Sequence, residues 1–315
     1  MIQNFNPLVS IIIPVYNGAN YLSEAIDSAL AQTYKNIEIL VINDGSTDDG
    51  ATERVALTYG DKIRYISKEN GGVSTALNRG IAEMKGEYFS WLSHDDLYLP
   101  NKIEKQVSLI ETDKDIILCS GSLMYANGAP MAHRTKTLSK KLTGRQLFQE
   151  YIHGYKLNGL GFLIPKMAFD KAGDFDVSLR YLQDFDMWLR MMWFDYRFIC
   201  HKDKLVISRM HRQQTTNTLS GAFLKDAAEY PKKHTELFKT IEPCEKTLLL
   251  SKYYLLFING NHKKYANEIK EMLKAENAFS ILLKIKGFWF VFRGKTIRLL
   301  RKLRNSLLKI EKIRS

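Results

Sequence analysis

The sequence predicts an α/β protein in which helices flank a mostly parallel sheet and a helical C-terminal extension follows. In the first half of the chain, short apolar runs alternate with amphipathic helical patterns, the order expected of parallel strands joined by crossover helices. From about residue 222 onward the pattern is helical and contains no strand-like segment. With 315 residues, the chain is long enough for one large domain and a smaller appendage.

The strands are predicted from short runs rich in β-branched residues, and the helices from apolar residues spaced three and four apart. The predicted elements are a strand over 9–13, a helix with an apolar face from 22 to 30, a strand over 37–42, a helix through the fifties, a strand near 63–66, a helix over about 74–84, a strand over 87–92, loops near 126–145 and 170–183, a helix from about 184 and a strand over 204–207.

The composition is that of a soluble globular protein. The N-terminal residues show no secretory signal, and no apolar segment is long enough to span a bilayer. The three cysteines, Cys119, Cys200 and Cys244, are scattered and lack metal-type spacing. We therefore expect reduced, buried cysteines in a cytoplasmic protein.

The basic charge is concentrated at the C-terminus. The net charge is +12, and residues 281–315 hold eleven Lys and Arg against one Glu. Within 284–315 the cations alternate with an apolar stripe that includes Leu300, Leu303 and Leu307, which suits a basic amphipathic helix on an anionic membrane surface. The alternative is a stripe that packs on the protein, with solvated cations. Nucleic-acid binding is a third interpretation, which no recognisable module supports.

Four polar clusters follow or begin predicted elements, and ligands bind at the carboxyl ends of parallel strands. A carboxylate followed by Gly and Ser after a buried strand can hydrogen-bond a ligand, or it can belong to an ordinary turn that caps the next helix. The clusters are Pro14-Val15-Tyr16-Asn17, Asn43-Asp44-Gly45-Ser46, Ser93-His94-Asp95-Asp96 and Gln183-Asp184-Phe185-Asp186.

The order and content of these clusters resemble the GT-A glycosyltransferases of family 2, which move sugars from nucleotide-sugar donors. The resemblance covers roughly residues 8–215, and the segments 71–80 and 209–211 add to it. It implies a GT-A, Rossmann-like sheet and inverting transfer of a sugar from a nucleotide-diphosphate sugar, by default a UDP-linked hexose or N-acetylhexosamine. The acceptor would be a hydroxyl of a glycan or lipid-linked acceptor in bacterial surface polysaccharide assembly.

In this family an aromatic residue and an acid after the first two strands hold the nucleobase, roles that pass to Tyr16 and Asp44. Tyr16 offers an aromatic face, and Asp44 can accept hydrogen bonds from base N–H groups; a half-buried loop aromatic is the alternative for Tyr16. Helix capping would equally explain Ser46 and Asp48. The other expected donor contacts are Pro14, Asn17, Ser46, Gly72, Asn78, His94, Asp95 and Arg212.

A leaving nucleotide diphosphate needs its charge neutralised, and a divalent cation, Mn²⁺ or Mg²⁺, held by oxygen ligands suits this task. The family's usual metal motif is Asp-x-Asp, whereas the matching positions here are Ser93-His94-Asp95. Asp95 is therefore the expected metal ligand, with Asp96 in support and His94 near the ribose. The resemblance adds His211 as a contact to the metal or the pyrophosphate, within a flap that includes Arg209 and Arg212. A solvated turn is the alternative for the paired acids.

Asp184 opens a predicted helix and is the expected general base, which takes the proton from the acceptor hydroxyl. The family's usual neighbour is Glu, and this chain has Gln183. Asp186 should point elsewhere on the helix and be structural. The alternative for Asp184 is a helix N-cap. The hypothesis requires side chains 16, 44, 95 and 184 to line a single crevice.

Three other functions compete with this one. A nucleotidyltransferase predicts a Gly-rich basic loop after the first strand, and a dinucleotide oxidoreductase predicts Gly-x-Gly-x-x-Gly there; neither is present. A binding protein that lost catalysis is favoured by Ser93 and opposed by Asp95 and Asp184.

The expected domains are a catalytic domain over 1–221, a helical region over 222–283 and a basic tail over 284–315. The protein is expected to be peripheral to the inner face of the cytoplasmic membrane.

Overall fold

The computed structural model describes residues 5–119, 121–126, 128–131, 136–211, 226, 229–230, 241, 249–250 and 263–275. The chain divides into two compact units, Met1–Asp226 and Ala227–Ser315. The predicted boundaries at 221 and 283 and the basic tail over 284–315 lie outside the described residues. Within the described ranges, no helix has both the length and the hydropathy that a bilayer crossing requires.

The strands of the first unit include all those predicted and several that were not. They are β1 (Val9–Val15), β2 (Ile37–Asp44), β3 (Arg64–Lys68), β4 (Tyr88–Trp91), β5 (Leu97–Tyr98), β6 (Asp115–Cys119), β7 (Leu123–Ala126), β8 (Ala129–Met131), β9 (Lys140–Thr143), β10 (Phe162–Pro165), β11 (Arg197–His201) and β12 (Val206–Met210).

The helices of the first unit cover the sheet and lead into its loops. They are α1 (Leu22–Leu30), α2 (Ala51–Leu57), α3 (Val73–Glu83), α4 (Lys102–Val107), α5 (Gly144–Ile152), α6 (Met167–Ala172) and α7 (Gln183–Met191), with 3₁₀ turns at Gly60–Lys62 and Gly159–Gly161. In the second unit the structure describes one full helix, α8 (Lys263–Ala275).

The main sheet has eight strands in the order β3-β2-β1-β4-β10-β6-β11-β9. The pairs β3–β2, β2–β1 and β1–β4 are parallel, and so is β6–β11. Only β10 and β9 run antiparallel to their neighbours in this sheet. The mostly parallel α/β sheet predicted from the strand–helix alternation is therefore confirmed.

The second sheet has the order β5-β12-β7-β8, and its strands, together with β9 of the main sheet, correct two expectations. The predicted strand over 204–207 is instead Val206–Met210, because the first two residues of β12 pair with β5 and its residues from Ile207 onward pair with β7. The expected loop over 126–145 contains β8 and β9, which pair with β7 and β11. The pairing of β12 with β5 brings residues 209–211 beside the turn that follows β4.

The core of the parallel half forms where α3 lies on β1. All seven residues of β1 are buried. A Cβ at Gly80 of α3 would lie only 2.5 Å from Cγ2 of Ile12, so glycine permits this close approach of helix and strand. The carboxyl ends of β1, β2 and β4 consequently meet at one edge of a rigid layer, which positions the polar clusters.

Candidate active site

A cavity of about 660 Å³ opens at this edge of the sheet. Its wall is formed by the residues that follow β1, β2 and β4, by the Gly71–Gly72 turn, by the segment before α7 and by the start of α7. Tyr16, Asp44, Asp95 and Asp184 all line it. The structure therefore brings together the four side chains that were expected to share one crevice, and the cavity volume is in the range of small-ligand sites.

The loops after β1 and β2 are joined by side-chain hydrogen bonds. Asn17 donates its backbone N–H to Ser46 Oγ at 2.9 Å and accepts the backbone N–H of Thr47 at 2.7 Å. Ser46 Oγ donates to Asn43 Oδ1 at 2.7 Å, so Ser46 orders the turn and does not cap α2. These contacts leave Tyr16 projecting at the cavity rim, with 45% of its surface exposed.

Asp44 orders the Gly71–Gly72 turn as well as lining the cavity. Its carboxylate is 3% exposed and pairs with Lys68 Nζ at 2.6 Å. It also accepts the backbone N–H groups of Gly71 at 3.1 Å and Gly72 at 2.7 Å, and the hydroxyl of Thr75 at 3.3 Å. Sequence reasoning missed Lys68, and the signal for it is the parallel register that places it opposite Asp44 at the end of β3.

The paired acids after β4 have different environments. Asp95 Oδ2 lies 2.9 Å from Nε2 of His211, and both side chains are partly exposed. Asp96 is 6% exposed, and its Oδ1 accepts the backbone N–H of Arg209 in β12 at 2.9 Å. Burial and the nearby charge of Asp95 raise the pKa of Asp96 to about 8. Asp95 is thus available to a ligand, whereas Asp96 connects the turn to β12.

An aromatic and ionic cluster supports His211 from α1. The ring of His211 lies 4.9 Å from the ring of Tyr21, centroid to centroid. The guanidinium of Arg209 lies 5.1 Å from the Tyr21 ring and pairs with Glu24 at 2.5 Å. The imidazole of His94 packs closely against the loop that follows β1, since a Cβ at Gly18 would lie 2.4 Å from its Cδ2. Glycine at position 18 therefore permits this close contact with the ring. Burial lowers the pKa of this imidazole.

Asp95 and His211 supply one carboxylate and one imidazole for a divalent cation. Among the described residues, no group of three or more His, Cys, Asp and Glu side chains forms a metal site. Cations of the Mg²⁺ type are commonly bound through one or two carboxylates together with substrate phosphates and water. The residues present fit a cation that binds together with a diphosphate.

Asp184 lies in the first turn of α7, after the N-cap residue Leu182, and therefore is not the N-cap. Its Oδ1 accepts the backbone N–H of Phe185 at 2.7 Å. Although part of Asp184 is accessible from the cavity, the surrounding protein raises its pKa to about 6, because burial disfavours the charged form. Asp186 is fully buried and pairs with Arg190 at 2.7 Å, in agreement with the structural role expected for it.

The segment Gly173–Leu182, which leads into α7, is held from two sides. Asn78 donates to the carbonyl of Phe175 at 2.9 Å and accepts its N–H at 2.8 Å. Both ends of the Asn78 amide thus hold this segment, and Asn78, which was expected to contact the donor, is not among the residues that line the cavity. On the other side, Asp226 accepts the backbone N–H groups of Arg180 and Tyr181, each at 2.8 Å.

The remaining predicted contacts divide into two groups. Pro14, Gly72 and His94 line the cavity, whereas Arg212 lies outside the described residues. Sequence reasoning missed Trp91, which lines the cavity from the end of β4, because an aromatic residue in an apolar strand is typical of the core. It also missed Asp226, for which the sequence pattern offers no local signal.

Comparison of the sequence with known proteins identifies related glycosyltransferases. The model of the glycosyl transferase family 2 matches residues 10–173. The chain is 45% identical over 280 residues to uncharacterized glycosyltransferases of Rickettsia typhi and Rickettsia prowazekii, covering 87% of this chain and 82% of each relative.

Solved structures share the fold at lower identity. Staphylococcus aureus TarS 1–349 in complex with UDP has a TM-score of 0.58 at 17% identity, over 80% of this chain and 72% of that one. The mannosyltransferase PcManGT of Pyrobaculum calidifontis, in complex with GDP-Man and Mn²⁺, has a TM-score of 0.56 at 16% identity, over 94% and 81% of the two chains. With its parallel sheet and its cavity at the strand ends, the chain belongs to glycosyl transferase family 2 and has the GT-A fold.

Proposed function

We propose that this glycosyltransferase moves a sugar from a UDP-sugar to an acceptor hydroxyl with inversion at the anomeric carbon. One observation supports this proposal above the others: Asp95, with His211 beside it, and Asp184 line the same cavity as Tyr16 and Asp44. A single displacement needs a base on one side of the sugar and charge neutralisation on the other, and this cavity offers groups for both.

Asp184 acts as the general base. It takes the proton of the acceptor hydroxyl while that oxygen forms its bond to the anomeric carbon and the bond from that carbon to the diphosphate oxygen breaks. A pKa of about 6 suits this role, because the carboxylate is mostly ionised near pH 7 and yet is a stronger base than an ordinary aspartate. Its position in the first turn of a buried helix limits how far it can move.

The nucleotide binds between the loops that follow β1 and β2. Tyr16 stacks on the base from the rim, and Asp44 holds the Gly71–Gly72 turn against it. TarS is described in complexes with UDP and with UDP-GlcNAc, which supports a uridine donor with a hexose or N-acetylhexosamine here. His94 lies in the same wall and is placed to contact the ribose.

Asp95 and His211 would hold the divalent cation, Mn²⁺ or Mg²⁺, and Asp96 would support them through its hydrogen bond to β12. When bound, the cation neutralises the charge that develops on the leaving diphosphate. The Mn²⁺ in the PcManGT complex supports this assignment. Because Ser93 replaces the first acid of the family's motif, we expect the site to bind its cation weakly without the nucleotide.

The acceptor is a hydroxyl of a glycan or lipid-linked acceptor in bacterial surface polysaccharide assembly. Relatives at 41% identity over 112 residues include a chondroitin synthase and a hyaluronan synthase of Pasteurella multocida, which supports glycan assembly.

The basic segment 284–315 would bind the inner face of the cytoplasmic membrane. Deleting it should abolish co-sedimentation with anionic liposomes, and unchanged sedimentation would refute the membrane role.

The central experiment measures donor binding and donor hydrolysis separately. A thermal-shift series with UDP, UDP-glucose, UDP-GlcNAc and GDP-mannose, with and without Mn²⁺, identifies the donor. Asp184→Asn should retain that thermal shift and lose hydrolysis, whereas Asp95→Asn should lose the effect of Mn²⁺. Asp61→Asn, an exposed acid outside the cavity, is the matched control.

Two outcomes would refute the proposal. Hydrolysis that survives in Asp184→Asn would exclude this residue as the base. Donor binding without any hydrolysis by the wild-type protein would favour the alternative suggested by Ser93, a binding protein that has lost catalysis.

A further inference from the structure

We propose that Tyr21 is a positioning residue whose aromatic ring holds the imidazole of His211 where that imidazole binds the divalent cation. This inference rests on the proposed function, since it needs the cation at Asp95 and His211. It gives a role in the reaction to Tyr21, which lines the cavity as the N-cap residue of α1.

The ring of Tyr21 contacts two side chains from the end of β12. His211 directly follows this strand, and side chains two residues apart in an extended segment lie on the same face. The centroid of the Tyr21 ring lies 4.9 Å from that of His211, and the guanidinium of Arg209 lies 5.1 Å from the same ring. The spacing of Arg209 and His211 therefore lets both side chains meet one aromatic ring.

The backbone that carries this ring is fixed on both sides. Tyr21 donates its N–H to the carbonyl of Gly18 at 3.1 Å, and its own carbonyl accepts the N–H of Ala25 at 3.2 Å. Gly18 in turn donates its N–H to Thr52 Oγ1 at 3.0 Å. A positioning residue needs such a fixed origin, because a ring that moved with the imidazole could not orient it.

Arg209 joins the end of β12 to α1 beside the two rings. Its side chain is 15% exposed and pairs with Glu24 of α1 at 2.5 Å. Its backbone N–H donates to Oδ1 of Asp96 at 2.9 Å. These contacts hold the backbone next to His211 close to α1, so the imidazole and the Tyr21 ring remain neighbours.

The cation itself makes this contact necessary. Without a cation, Nε2 of His211 lies 2.9 Å from Oδ2 of Asp95. The proposed cation takes these two atoms as its ligands, so the hydrogen bond between them cannot hold the imidazole once the cation binds. The contact with Tyr21 uses neither atom and persists. Groups outside the ligand set commonly orient a histidine that binds a metal.

The experiment measures the affinity for Mn²⁺ by calorimetry, in the full chain with saturating UDP at one pH. Tyr21→Leu removes the ring and should raise the Kd for Mn²⁺ roughly 3- to 10-fold, the range expected for one aromatic contact. Tyr21→Phe keeps the ring and should restore the wild-type Kd. The Kd for UDP without Mn²⁺ should change less than about twofold in both variants, whereas a general disturbance of the cavity would raise it. A GDP arm covers a guanosine donor.

A second measurement follows the imidazole without any cation. In nuclear magnetic resonance spectra of the histidines, the signal of His211 is assigned by its loss in His211→Ala. Tyr21→Leu should shift this signal, because the imidazole loses the ring current of its aromatic neighbour, and Tyr21→Phe should leave it near its wild-type position.

Tyr59→Leu is the matched control. The hydroxyl of Tyr59 also contacts α1, donating to the carbonyl of Ser23 at 3.0 Å and to Asp27 at 2.9 Å, but Tyr59 does not line the cavity. This variant should keep the wild-type Kd for Mn²⁺ and for UDP. Thermal melting verifies that the variants fold, and Tyr21→Met repeats the test if Tyr21→Leu does not.

The outcomes separate this inference from the function on which it rests. Unchanged affinity for Mn²⁺ in Tyr21→Leu, while His211→Ala weakens it, overturns the inference alone, as does an equal loss in Tyr59→Leu. Wild-type affinity for Mn²⁺ in His211→Ala refutes the proposed cation site, and the role of Tyr21 falls with it. Wild-type protein that binds neither UDP nor GDP refutes the proposed function itself.

Discussion

The carboxylate of Asp226 accepts the backbone N–H of Tyr181 at 2.8 Å, although 45 residues separate the two in the chain. The same oxygen accepts the N–H of Arg180, also at 2.8 Å, and Asp226 is 7% exposed. Arg180 and Tyr181 line the cavity, and Asp184 follows shortly after them. A buried carboxylate from outside the sheet therefore determines where the segment before the proposed base lies.

We predict that Asp226→Ala lowers kcat of donor hydrolysis roughly 10- to 100-fold, because a displacement of about 1 Å at a reacting group has effects of that size. Asp226→Asn should restore most of the activity, since the amide oxygen can accept both N–H groups. Hydrogen exchange of residues 180–185 should accelerate in the alanine variant and not in the asparagine variant. Equal kcat in the wild type and in Asp226→Ala would contradict this positioning role.

Activity should depend on pH through Asp184. Burial raises the pKa of Asp184 to about 6, and a general base works only when deprotonated. At saturating donor and Mn²⁺, kcat should therefore rise with pH through about 6 and level off above pH 7. The measurement is donor hydrolysis between pH 5 and 8. A flat profile across that range would show that this carboxylate does not limit the reaction.

The raised pKa of Asp184 also predicts that the ionised carboxylate lowers the free energy of unfolding of the protein. In the unfolded chain an aspartate has a pKa near 3.9, so Asp184 binds its proton more tightly in the folded protein. The free energy of unfolding therefore falls as the pH rises from about 4 to 6. At pH 8, Asp184→Asn should increase the free energy of unfolding by about 1–3 kcal/mol, and the gain should vanish near pH 4. Urea denaturation at both pH values measures this difference. Equal stability of variant and wild type at pH 8 would contradict it.

A second buried group makes stability depend on pH in the opposite direction. Lys102 is fully buried, donates to Ser90 at 2.9 Å and to Gln106 at 2.7 Å, and lies 4.1 Å from the ring centroid of Tyr98. Burial lowers its pKa to about 7. Above pH 7 the unfolded chain still binds this proton and the folded protein does not, so the free energy of unfolding should rise from pH 7 to pH 9.

The Lys102→Met variant tests this contribution. Its free energy of unfolding should rise less between pH 7 and pH 9 than that of the wild type. The comparison of the two slopes removes the contribution of titrating groups that do not interact with Lys102. Identical slopes would show that Lys102 is charged in the folded protein at pH 9, against the expected effect of its burial.

Local pattern was sufficient for the parallel half of the fold. The β-branched run in β1 and the apolar spacing in α1 are enough to predict these two elements, and the structure shows both. In contrast, β8 is exposed along its length and β9 is mostly exposed, so no alternation of apolar residues marks them as strands. Pairing with β7 and β11 makes them strands, which sequence pattern alone does not reveal.

The sequence by itself predicted that Tyr16, Asp44, Asp95 and Asp184 share one crevice, because each lies at the end of a strand or the start of a helix in an order that resembles the family's, and all four line the cavity. Only the tertiary structure decided how these residues are held: Lys68 on Asp44, Arg209 on Asp96 and Asp226 on the segment before α7. It also showed that the amide of Asn78 bonds to the backbone of that segment. The physical reason is that strand ends follow from local periodicity, whereas hydrogen bonds between distant residues depend on strand pairing and on which polar atoms the packed core leaves to be satisfied.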